Sequence, residues 1–178
     1  MISEKEIAAF ISGDKSGFDA IYKAYSPGMY AICLRYLRSE SDALDALQDT
    51  FIKVFEYRKK YDPGQPVGAW IKTITIRTAI NQLRSRQRIQ LTSDEIDFNV
   101  DQDELKQEPE TDFKQILQKA LDQLPEGYRI VFSLFAIENL THEEISDYLG
   151  ISVGASKSQY FKAKKYLQKL LQKNRIAS

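Results

Sequence analysis

The stretch Leu140–Tyr166, LTHEEISDYLGISVGASKSQYFKAKKY, constrains the fold more than any other part of the chain. Thr141 and Glu144 have the spacing of a capping box, which predicts a helix start. Ile145 and Leu149 fall four residues apart on one face. Gly150 stands where that helix must stop and the backbone must turn left-handed, and Ser152 can cap a second helix. On a 3.6-residue wheel the second helix is two-sided. Val153, Tyr160, Ala163, Leu167, Leu170 and Leu171 share one side, while Lys157, Ser158, Phe161, Lys162, Lys164 and Lys165 share the other. A helix, a short turn with Gly and a second, basic helix make a helix-turn-helix.

A lysine-rich helix face is often no more than solvated surface. Two details favour a nucleic-acid surface here. No acidic residue follows Asp147, so the face lacks the i,i+4 partners that solvated helices usually carry. Phe161 sits inside the lysine arc, where a large ring has no structural task, and against duplex DNA it could pack on a thymine methyl. The ring could instead cover a neighbouring helix.

The 178 residues allow one domain or two small ones, and the net charge of zero conceals a segregated pattern. Residues 1–90 carry 14 basic and 10 acidic side chains, residues 91–112 carry one and nine, and residues 113–178 carry ten and six. The single cysteine, Cys33, excludes an internal disulfide and reads as a small buried hydrophobe, which fits a reducing compartment. The N-terminus lacks the basic and apolar regions of a signal peptide. No apolar run approaches the roughly 18 residues that cross a bilayer. No membrane insertion and a cytoplasmic location are the expectation.

Helical periodicity runs along the chain and no alternating strand pattern persists. Ser3 and Glu6 predict a first capping box, with Ile7, Phe10 and Ile11 apolar and Gly13 as the stop. A second helix is expected over Ser16–Tyr25, with Phe18, Ile21, Tyr22 and Tyr25 inward. Ser26-Pro27 then reads as a cap and first-turn proline opening a third, to about Arg38. Ser41 is expected to cap the next, to about Lys59. On that helix Leu44, Leu47, Phe51, Val54 and Phe55 share one side, and Asp42, Asp45, Asp49 and Glu56 form an acidic band with Gln48 near its edge. An acidic band of this kind is usually solvated. Tyr61–Pro66 is a loop with two prolines and a glycine. A helix from about Val67 to Arg88 follows, with Trp70 and Ile74 on a different side from Ile76, Ile80 and Leu83. Arg84, Arg86 and Arg88 at its end suit the helix dipole and also a phosphate backbone.

Residues 91–112 read as a flexible acidic linker, poor in apolar side chains. Phe113, Ile116, Leu117, Ala120, Leu121 and Leu124 make the next helix. Pro125 starts another over Glu126–Glu138, with Tyr128, Val131, Phe132 and Phe135 apolar. The fold class is therefore all-α: two small helical domains, 1–90 and 113–178, joined by the linker 91–112, with a helix-turn-helix in the second. His142 has no Cys or second His near it in sequence, so a zinc site is not expected. No nucleophile elbow, P-loop or dinucleotide fingerprint is present. No catalytic residue, metal or cofactor is assigned, and nothing requires an enzyme.

These segments resemble a known family. DALDALQDTFIKVF at 42–55 is similar to region 2.2 of bacterial sigma-70-family factors, GAWIKTITIRTAINQLRSRQR at 68–88 to regions 2.3–2.4, and residues 121–158 to region 4. Regions 1.1 and 3 have no counterpart, which is the plan of the extracytoplasmic-function (ECF) group. The resemblance covers roughly residues 10–90 and 113–172. It implies that Asp45, Gln48 and Asp49 bind the β′ clamp helices of core RNA polymerase. It implies that the Tyr61–Gly68 loop and the helix after it capture an unpaired −10 base, through Tyr61, Trp70, Lys72, Arg77, Asn81 and Arg84. It also implies that Lys157, Ser158, Phe161 and Lys162, with Lys164 and Lys165 beside them, bind −35 duplex. The linker would pass through polymerase channels built for nucleic acid. The implied partners are core RNA polymerase, through its β′ clamp helices and β flap, promoter DNA and an anti-sigma factor.

The chain departs from the family pattern in places. Many relatives have Asn where Arg77 stands. The usual T-V-K-S-R is A-S-K-S-Q over Ala155–Gln159, which removes a cation at Gln159, and lysines replace the arginines that commonly follow. A different promoter is expected, not loss of DNA binding. The competing function is a stand-alone helix-turn-helix regulator of duplex DNA, which would need neither the acidic band nor a single-strand pocket. A helical adaptor that binds protein only is a third.

Overall fold

The computed structural model describes residues 2–86 and 119–176, with side chains left out at residue 86 and over 171–176. The acidic linker 91–112 and residues 113–118 of the helix expected after it lie outside the described residues. The chain divides into two compact units, Met1–Arg88 and Ile89–Ser178. All regular structure among the described residues is helical.

The first unit holds α1 (Glu4–Ser12), α2 (Lys15–Leu37), α3 (Glu40–Glu56) and α4 (Val67–Arg86), with a 3-10 turn at Arg58–Lys60. Both halves of the Ser3–Glu6 capping box form, and Gly13 ends α1 at φ 89°. The chain then turns straight into α2, capped by Asp14. This tight corner needs Gly17: a Cβ there would lie 2.2 Å from the Phe10 nitrogen. α2 is the central helix and packs against α1, α3 and α4. Cys33 with Ala43 and Ala46 supplies small side chains where α2 meets α3.

Two sequence expectations fail here. α2 is one helix of 23 residues with Pro27 inside it, not two helices. An interior proline costs about 3 kcal/mol, because it removes a hydrogen bond and crowds the carbonyl four residues back. Pro27 lies on the exposed side, as does Lys23, whose carbonyl loses its donor. Water can serve that carbonyl while the opposite face packs on three helices. The cap of α3 is Ser39 rather than Ser41. Arg38 adopts a left-handed conformation at φ 56°, so the chain reverses directly after α2 and the next helix starts two residues earlier.

The second unit holds the helical residues 119–122 (α5), α6 (Glu126–Phe132), a π turn at Ser133–Ile137, α7 (His142–Leu149) and α8 (Val153–Ile176). Ala120, Leu121, Leu124 and Tyr128 form one core with Ala163, Leu167 and Leu170 of α8. The helix expected over Glu126–Glu138 therefore widens in its second half. Glu138 N–H donates to the Ser133 carbonyl, a five-residue span, and left-handed Asn139 at φ 58° ends the run.

Candidate functional site

In the first unit, α3 buries Ala43, Ala46, Leu47, Thr50, Phe51 and Val54 and presents the opposite face to solvent. Asp45, Gln48 and Asp49 are all on that outward face. The face is less polar than expected. Leu44 and Ile52 are 50% and 57% exposed, and Phe55 is partly so. Leu44 and Phe55 thus leave the core face to which the helical wheel assigns them. Tyr22 of α2 extends this apolar surface, its ring centroid 4.7 Å from that of Phe51. Carboxylates beside exposed aliphatic and aromatic groups suit a protein partner with basic and apolar surface. The inward placing expected for Tyr22 fails as well, since its side chain is exposed, and Ile52 has no place in the sequence reading at all. Ile52 was recoverable, since it falls opposite the buried arc of α3.

The loop into α4 is held from within. Gly64 N–H donates to Asp62 Oδ1 at 2.9 Å, and the Tyr61 hydroxyl donates to the Gln65 carbonyl. Burial, and then the Asp62 carboxylate, raises the Tyr61 phenol above its ordinary pKa, so it stays a protonated donor. Tyr61 is buried and its ring lies 5.2 Å from that of Trp70, which also meets Phe10 at 6.3 Å. Tyr61 therefore holds the loop and Trp70 in place and offers little surface of its own. Trp70 and Lys72 are half-buried, and Arg77, Asn81 and Arg84 are exposed. The four- and three-residue steps from Arg77 to Asn81 to Arg84 put these three on one outward stripe of α4.

In the second unit both helix caps of the helix-turn-helix form as the sequence predicts. Thr141 and Glu144 complete the α7 box, Gly150 is left-handed at φ 67°, and Ser152 Oγ accepts from the Ala155 amide at 3.0 Å. Lys157, Ser158, Phe161, Lys164 and Lys165 are exposed and Lys162 is half-buried. Phe161 is 66% exposed, so it covers no other helix of its unit. One expectation is corrected: Gln159 is 6% exposed and turns inward with Ser156 and Ala163. The missing cation at that position therefore alters packing and not the basic face. His142 holds a place the sequence reading left empty. Its ring stacks on Phe135 with centroids 4.4 Å apart, and its Nδ1 lies 2.9 Å from Ser156 Oγ across the turn.

No helix among the described residues is long and apolar enough to cross a membrane.

Comparisons with known proteins place both units. Residues 21–89 match the family model of sigma-70 region 2, and residues 114–167 match that of sigma-70 region 4. The chain is 30% identical over 174 residues to the ECF RNA polymerase sigma factor SigE of Mycolicibacterium smegmatis, covering 92% of this chain and 66% of that protein. It is 27% identical over 171 residues to the RNA polymerase sigma-H factor of Pseudomonas aeruginosa, covering 90% of this chain and 89% of that one. In fold it is similar to the sigma factor RpoE of Bartonella quintana, solved in complex with the anti-sigma factor NepR. The TM-score is 0.53 at 24% identity, over 87% of this chain and 96% of that chain. Region 2 followed by region 4, with relatives matched across both, leaves a single assignment: the chain belongs to the extracytoplasmic-function group of the sigma-70 family of RNA polymerase sigma factors.

Proposed function

We propose that the chain joins core RNA polymerase, brings it to −35 and −10 elements and assists opening of the duplex, while polymerase performs the chemistry. The observation that carries this reading is the match to both family regions in order. A stand-alone duplex regulator would have no use for region 2. In this reading Asp45, Gln48 and Asp49 meet the β′ clamp helices, with charge pairing that speeds encounter and fixes register. Trp70, Lys72, Arg77, Asn81 and Arg84 hold the opened −10 strand, and Tyr61 acts through the loop that it pins. Unstacking a base costs a few kcal/mol, which stacking and backbone cations offset. Lys157, Ser158, Phe161 and Lys162 read the −35 duplex, with Lys164 and Lys165 on phosphates. The second unit also contacts the β flap, the acidic residues 91–112 serve as the linker between the region 2 and region 4 segments of the sequence, and the protein works in the cytoplasm. An anti-sigma factor, as bound to the similar Bartonella quintana protein, covers the polymerase-binding surfaces.

The test is in vitro transcription with purified core polymerase and genomic templates. Promoter-dependent transcripts that require the protein are expected. No change in initiation would overturn the proposal.

A further inference from the structure

The C-terminal end of α3 carries a group of side chains that none of the surfaces above uses. Lys53 is half-buried and its Nζ donates to Thr78 Oγ1 at 3.2 Å, so it leans onto α4 beside Arg77. Tyr57 follows four residues later on the same face. It is 42% exposed, and the Lys60 ammonium lies 5.0 Å from its ring centroid. Lys53 and Lys60 take part in no ion pair among the described residues. A helix end attracts cations through its dipole alone. That account explains the lysines but not an exposed tyrosine beneath one of them, nor the tether that draws Lys53 to α4.

We infer that Lys53, Tyr57 and Lys60 form a second track for the opened DNA strand, beside the outward stripe of α4. This rests on the reading that α4 holds that strand. Cations flanking an exposed aromatic ring are the elements of a single-strand site, where bases stack on the ring and phosphates meet the cations. Lys60 can move from the ring to a phosphate as a base takes its place, so its charge stays near the strand throughout. α3 is then divided by face. Asp45 and Asp49 on its outward side serve a protein partner, and Lys53, with Tyr57 and Lys60 just beyond the helix, serves nucleic acid.

The test uses the full chain and a labelled deoxythymidine strand of about 20 nucleotides, because stacking tolerates any base. Tyr57→Leu is expected to weaken binding roughly tenfold while Tyr57→Phe binds like the unaltered protein. Lys53→Gln with Lys60→Gln is expected to reduce the salt slope by about 1.4, from about 0.7 per phosphate contact on single strands. Circular dichroism checks that each variant keeps its helices. Unaltered binding by Tyr57→Leu, alongside weaker binding by Arg77→Ala, overturns the track and spares the α4 reading. Weaker binding by Tyr57→Leu with Arg77→Ala unaltered supports the track and removes Arg77 from the strand's path. If neither variant weakens binding, both ideas fall.

Discussion

His142 Nδ1 and Ser156 Oγ lie 2.9 Å apart, joining the first turn of α7 to the first turn of α8. Ser156 is fully buried and the imidazole stacks on Phe135, so the link sits where the angle between the two helices is set. His142→Ala removes the hydrogen bond and the stack together. The expected loss is about 1–2 kcal/mol of stability in this unit, from a hydrogen bond near 1 and a ring pair of similar size. Urea unfolding followed by circular dichroism measures it. Stability equal to that of the unaltered protein would show that the contact contributes nothing.

Asp45 and Asp49 stand on the outward face of α3 and no packing depends on them. Asp45→Arg with Asp49→Arg is therefore expected to leave helicity and unfolding temperature unchanged. Core polymerase binding should fall at least about tenfold, because like charges placed against a basic partner repel it. Native gel shift or surface binding with purified core measures this. Unchanged core affinity removes the acidic band from the interface. Ile52→Asp provides a companion variant on the same surface, where the exposed side chain is apolar.

Much of this was legible because it is local. The capping boxes at Ser3–Glu6 and Thr141–Glu144 need only four residues each, and both form. Gly13 and Gly150 stop their helices for reasons contained in one residue. Pro27 misled because its cost depends on which way it faces, and that is decided by packing of α2 against three other helices. Gln159 misled through the family pattern, although its spacing of four residues from Ala163 already placed it on the inward face. Leu44 sits at the boundary of the apolar arc, where a wheel cannot tell core from surface. The His142–Ser156 contact spans a turn of unknown angle and leaves no trace in spacing. For the site, the charged residues were found by pattern, while the exposed apolar groups among them required knowing what each helix buries.

Cys33 is fully buried among Ala43, Ala46 and the aromatic and aliphatic side chains near them. Burial pushes its thiol from an ordinary 9.0 up to about 11. In the unfolded chain the thiol ionises first, so between these values the unfolded state sheds a proton that the folded state keeps. Stability linked to Cys33 is thus fully present below the lower value and lost as pH rises through the higher one. The unaltered protein should lose more stability across this range than Cys33→Ala, which cannot ionise there. Denaturant midpoints of the two proteins at matched pH check it. Parallel loss in both would show that tyrosines and lysines account for the whole effect. Alkylation of Cys33 should likewise await unfolding, because the reactive thiolate is scarce and shielded.

Lys162 and Phe161 are neighbours on α8 with different expected roles, and substituting each separates charge from shape. Lys162 is half-buried at the edge of the basic face, while Phe161 projects from its middle. Lys162→Ala should weaken duplex binding on every sequence by a similar factor and lower the salt slope by about 0.9, the contribution of one phosphate contact. Phe161→Ala should leave the salt slope unchanged. It should reduce discrimination between −35 sequences, because an apolar contact with a base edge carries sequence information and a phosphate contact does not. Fluorescence anisotropy with matched and scrambled duplexes at several salt concentrations distinguishes the two. An unchanged slope in Lys162→Ala would take that lysine off the phosphate backbone. Undiminished discrimination in Phe161→Ala would mean that the exposed ring does not reach the groove, and sequence reading would pass to Lys157 and Ser158, one turn earlier on the same face.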